Sequence, residues 1–132
     1  MTDYANHTEA VVTLLARTKM MKARAGILPL PKITGIAFGD GGTDSDSQVL
    51  TPDGSQTELN HELLRKPIDR YTVLSDTKCR YECTLEKGEL TGAYISEAAL
   101  YDEEGDLVAI KNFLPKGKDS DLEMTIQMDD EF

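Results

Sequence analysis

Asp40, Asp44 and Asp46 fall in the run 39–47, GDGGTDSDS, and bring carboxylate oxygens of the kind that bind Ca²⁺ into one short loop. An EF-hand loop would close with a bidentate Glu at its twelfth position, and counting from Asp44 reaches Ser55 instead. The same glycines suggest a phosphate cradle built from backbone N–H groups, but no Lys-Ser or Lys-Thr follows them. The preferred reading is a solvent loop whose glycines permit tight turning. Nucleophilic chemistry is not supported either. His7 and His61 fall in two separate predicted helices, and no Ser or Cys sits in a nucleophile turn. Cys79 and Cys83 are spaced C-x3-C, which is neither a zinc knuckle nor a redox pair. On a strand they would share a face about 13 Å apart, too far to bond to each other, and read as plain buried thiols. Acidic pairs are plentiful, but none has the opposed environments of a general acid and base. No enzyme, no cofactor and no bound metal are expected.

The elements that would position these groups can be read in order. Residues 2–25 read as a helix, with Thr2 or Asp3 as cap, an apolar stripe through Tyr4, Val11, Leu14, Leu15 and Met21, and Gly26 as stop. Pro29 and Pro31 force an extended connector. Residues 33–38 form a short strand, and the capping box Ser55-Gln56-Thr57-Glu58 opens a second, short helix to about Leu64. From Tyr71 to Phe113 the chain reads as a meander of strands. Cys79, Tyr81, Cys83 and Leu85 alternate with polar residues, as do Leu122, Met124, Ile126 and Met128. The fold class expected is α+β: an N-terminal helix and a short helix packed with an antiparallel β-sheet or β-sandwich, in a single domain 1–132. Within it, 1–32 is a helix with a Pro-containing arm and 33–132 is the body.

Charge narrows the partners. The net charge is −10, unevenly placed: residues 1–32 hold five Lys or Arg against two acids (+3), and the remaining hundred hold nine against twenty-two (−13). An acidic body repels phosphates and argues against nucleic acid. No run is long and apolar enough to insert in a membrane, and the N-terminus does not read as a secretory signal, so synthesis in a cytosol is expected. A basic helix on a stiff arm could lie on its own acidic body or on a neighbour, with Val11, Leu14, Leu15 and Met21 supplying the attachment.

Residues 95–113 carry a hairpin whose acidic loop, Asp102-Glu103-Glu104-Gly105-Asp106, suits a bulged turn with Gly105 at positive φ. Both strands are apolar on both faces. Leu100 and Ala98 oppose Tyr101 and Ala99; Leu107 and Ala109 oppose Val108 and Ile110. Two-sided strands need two covers, and in a small antiparallel domain one cover is often another subunit. Leu100, Tyr101, Val108 and Ile110 are therefore candidate interface residues. The acidic end Asp129-Asp130-Glu131-Phe132 adds Phe132 as a candidate docking anchor.

Four stretches in order resemble the N-terminal domain of phage tail-collar fibre proteins. They are an N-terminal helix, an IT-x-x-A-x-GDGG strand and loop (Ile33 to Gly42), a T-x-L-x-x-E-x-x-R-x-P-I element (Thr57 to Ile68), and an SE-x-x-LYD-x-x-G-x-LVAI hairpin (Ser96 to Ile110). Members of that family usually head a long fibre, whereas this sequence runs only to Phe132. The resemblance implies a structural component of a phage or phage-derived tail at the baseplate or fibre-attachment end. It implies a homotrimer that contacts other tail, baseplate or fibre proteins and ends in a virion or tail-like particle. The alternative from another class is a carbohydrate-binding module at the host cell surface; the lack of Trp stacking platforms weighs against it.

Overall fold

In the computed structural model, which describes residues 10–132, the chain builds two antiparallel sheets and one helix. The strands are β1 (Val11–Val12), β2 (Ile33–Gly39), β3 (Glu62–Pro67), β4 (Arg70–Ser75), β5 (Lys78–Leu85), β6 (Tyr94–Asp102), β7 (Leu107–Gly117) and β8 (Met124–Glu131). The helix, α1, spans Leu14–Arg24. Sheet one has the order β1-β7-β6-β2-β3 and sheet two the order β4-β5-β8. At 48% strand and 9% helix the architecture is predominantly β, which overturns the α+β expectation.

Two local choices account for that difference. The start of the predicted first helix, with Thr2, Asp3, Tyr4 and His7, lies outside the described residues. Within them, the β-branched run Val11-Val12-Thr13 is not helical. Val11 and Val12 pair with Ile110 and Ala109, and Thr13 becomes the N-cap, its hydroxyl accepting the Ala16 N–H at 3.0 Å. The second predicted helix does not form. The Gln56 side chain accepts the Asp53 N–H and Asp53 accepts the Ser55 N–H, so the capping-box residues are used in a turn. Beyond it, residues 62–67 pair with β2, Leu64 opposite Phe38 and Lys66 opposite Ile36. A helix this short barely repays its own nucleation, whereas β2 offers a ready ladder.

The meander is also corrected. β5 pairs with β4 and β8, while β6 pairs with β2 and β7, so the chain changes sheets between β5 and β6. The expected hairpin is present, its ladder running from Tyr101↔Leu107 with Gly105 at φ 86° in the turn. Its two faces are largely covered within the chain, with Leu100 and Ile110 fully buried and Tyr101 and Val108 half-buried. One face, with Ala98, Leu100 and Ala109, joins Ile36 and Phe38 against Cys83, Leu85 and Met128 of sheet two. The other, with Ala99, Leu107 and Ile110, joins Ala37 under Leu59 from the segment between β2 and β3. Each fully buried Leu, Ile or Phe contributes about 1.5–3 kcal/mol, so this double layer carries most of the fold. No described helix is long and apolar enough to cross a membrane.

Candidate interaction surface

The loop after β2 is clamped, not free. Glu97 on β6 is fully buried, and its carboxylate accepts the N–H groups of Gly41 (2.9 Å), Asn60 (2.9 Å) and His61 (2.8 Å). Ser96 Oγ accepts the Gly42 N–H at 2.9 Å. A Cβ on Gly42 would overlap the Ser96 carbonyl, and one on Gly39 would overlap the His61 carbonyl. None of Gly39, Gly41 and Gly42 has a positive φ. These glycines serve close approach: Gly39 and Gly42 are buried against neighbouring backbone, while residues 44–48 of the expected solvent loop are exposed. The loop's acids are also separated. Asp40 pairs with the His61 ring, whose proton affinity is raised chiefly by that hydrogen bond. Asp44 Oδ1 accepts the N–H groups of Asp46 and Gln48 at 2.8 and 2.9 Å. Asp40, Asp44 and Asp46 do not converge on a common point.

Three other acids do converge, in the hairpin turn. Asp102, Glu104 and Asp106 offer oxygens within 4.8 Å of one another, the closest acidic trio among the described residues. Lys19 of α1 fills the middle, its Nζ 2.7 Å from Asp102, 2.8 Å from Glu104 and 2.7 Å from Asp106. Burial alone would lower the affinity of this ammonium for its proton. The bonds to Asp102, Asp106 and Glu104 outweigh that and hold it well above the usual lysine range. The trio is thus a socket for the helix. Thr13 Oγ1 donates to the Leu107 carbonyl at 2.8 Å and fixes the helix start to the other side of the same hairpin.

Docked there, α1 and the arm after it form one wall of a cleft of about 820 Å³. Val12 of β1, Ala16 and Met20 of the helix, and Leu30 and Pro31 of the arm line it. The opposite wall is the inner face of sheet two, through Tyr71, Cys79, Tyr81, Asp130 and Phe132. Along that face burial declines steadily: Leu85 and Cys83 are fully buried, Cys79 and Tyr81 half-buried, and Val73 is 68% exposed. Burial pushes the Cys83 thiol up to about 11, as an inert core thiol requires, and both cysteines are free. Burial also raises the Asp130 carboxyl above the ordinary range, and no partner among the described residues offsets it. The outer face of sheet two is polar, with Arg80 holding Asp129 through two hydrogen bonds and Lys78 3.5 Å from the same carboxylate.

The predicted interface residues divide into three groups. Leu14, Met21 and Phe132 are exposed, at 54%, 56% and 73%. Leu100 and Ile110 are fully buried inside the chain, and Val11, Leu15, Tyr101 and Val108 are half-buried. Tyr101 lies under Arg65, whose guanidinium is 4.9 Å from the ring centre. Sequence reasoning missed Ile27, Leu28, Leu30, Tyr71 and Val73, all more than half exposed. The signal was there for the arm: an apolar run between prolines with no helical or strand period has no core face to occupy.

Comparison with known proteins bears on what this surface serves. The family model described as phage tail-collar fibre protein, N-terminal, matches residues 4–128. A "probable tail fiber protein" of Escherichia phage P2 is 30% identical over 106 residues, which is 77% of this chain and 15% of the relative. The chain thus spans less than a sixth of that relative's length. No solved structure matches it. With the match running through the helix, the clamped GDGG loop, the hairpin and most of β8, the chain belongs to the N-terminal family of phage tail-collar fibre proteins, structural components of the phage tail.

Proposed function

We propose that this chain is the attachment domain of a tail fibre, a single non-enzymatic unit that joins fibre to tail at the baseplate and works as a homotrimer. It is made in the bacterial host cytoplasm and built into a virion or tail-like particle. The observation that carries this reading is the exposed apolar surface at the cleft: Leu30 on one side, Tyr71 and Phe132 on the other, with Val73 exposed farther along the same face of sheet two. An apolar area of this kind on a chain with a net charge of −10 marks a protein-binding face, since solubility alone would disfavour it.

The test uses purified tails of the phage that encodes the chain, stripped of fibres. The chain should bind them, and Leu30→Asp or Val73→Asp should reduce binding at least tenfold while leaving the far-UV circular dichroism unchanged. Binding to a glycan array with no binding to tails would overturn the assignment in favour of receptor recognition.

A further inference from the structure

The end of α1 and the start of the arm present Met21, Arg24, Ile27 and Leu28 outwards, with the three apolar members 56–61% exposed. None of these four lines the large cleft of its own chain. The cleft, for its part, has an apolar wall of Tyr71, Tyr81 and Phe132 beside two acids, Asp130 and Glu131. Asp130 stands on the inner face of β8, where its neighbours across β5 and along β8 are Cys79 and Met128. Arg17, Lys19 and Lys32 line the helix side of the same cleft, yet among the described residues no cation stands within ion-pair distance of its carboxylate, and burial raises its affinity for a proton. An apolar cleft with an unpaired acid is complementary to an apolar knob carrying an arginine, and this chain owns both.

We propose that the cleft receives a second copy of this chain, which inserts the Met21, Ile27 and Leu28 knob and places Arg24 against Asp130. The inference deepens the assembly reading above and rests on it. Knob and cleft are different patches, so the contact is head-to-tail: every copy gives one knob and receives another. Such a contact closes into a ring when its rotation divides a full turn, and a three-fold ring supplies the homotrimer.

Sedimentation equilibrium of the full chain tests this. Arg24→Glu and Asp130→Arg should each weaken self-association at least tenfold, and the double variant carrying both changes should recover it, because the pair is re-formed between copies with its signs exchanged. Met21→Asp, on an exposed side chain, should weaken it without loss of circular dichroism. Should Asp130→Arg fail to fold, Glu131→Arg on the exposed end of the strand takes its place. A parent chain that stays monomeric at ~100 µM, far above the concentration at which a specific contact forms, overturns the proposal. So does a double variant no better than the two singles. A monomer that still binds tails removes this contact and leaves the attachment function standing; self-association without tail binding does the reverse.

Discussion

A buried carboxylate with no cation beside it is stable only where N–H groups replace the lost water, and Glu97 has three of them. Glu97→Gln would turn one oxygen into an amine that faces N–H donors. The expected cost is about 2–4 kcal/mol, since bonds to a charged acceptor are worth about 1.5–3 kcal/mol each. Urea denaturation should show the change as a lower midpoint with an unaltered slope. Asp130 presents the opposite case, an acid whose folded affinity for protons exceeds its unfolded one because burial goes uncompensated. Such a group costs stability when ionised, above its raised folded value, and the cost disappears once pH falls far enough to protonate it. Asp130→Asn should therefore raise the melting temperature of the isolated chain at pH 7, by about 2–6 °C. The gain should shrink as pH falls to about 4, near the unfolded carboxylate range. A loss of stability at pH 7 would show that Asp130 has a favourable partner. The Ser96-Glu97 pair was legible in the sequence as a motif, but its task was not. Nothing local reveals that the amides of Asn60 and His61, 36 residues or more away, come to rest on that carboxylate.

The element that depends most on tertiary contacts is α1. Only Ala16 among its residues is buried, so little hydrophobic burial holds it, and its first turn has no acid to favour the helix dipole. Its anchors are Lys19 in the hairpin socket and Thr13 at the cap. Lys19→Met would leave three carboxylates facing one another, one of them on a side chain only 3% exposed. Breaking a buried pair costs about 3–5 kcal/mol; with Glu104 and Asp106 largely in solvent the expected loss is about 1–3 kcal/mol. Hydrogen exchange should accelerate first in residues 14–24, before any change in β2 or β6. Uniform acceleration would mean the helix is not a separately opening unit. The strands with their own pattern were the legible ones: β2, β8 and the β6–β7 hairpin with its Gly105 turn all follow from alternation and turn chemistry. What the sequence could not convey was competition. The segment at 55–67 has helix-start residues, yet Glu97 captures its amides and β2 captures its strand. Likewise Val11 fits a helical stripe, and only the pairing with β7 reveals Val11 and Val12 as an edge strand.

At the scale of the whole molecule, the N-terminal segment is fastened into the body by β1, Thr13 and Lys19. Deleting residues 1–25 should therefore leave the β7 edge and the Asp102–Asp106 turn without their partners and give a chain that is insoluble or lacks a cooperative melt. A soluble truncation with the parent's melting curve would show the segment to be separable after all. The two ends of the molecule are also held differently. Val11 and Val12 make a ladder of two residues with β7, whereas β8 is held by an unbroken ladder of eight residues from Lys78↔Glu131 to Leu85↔Met124. Tension drawn along β8 is shared by all eight rungs at once, while β1 offers two, backed by the bonds of Thr13 and Lys19. On the attachment role proposed above, the domain would act as a coupling with a strong side at β8 and a weaker one at β1.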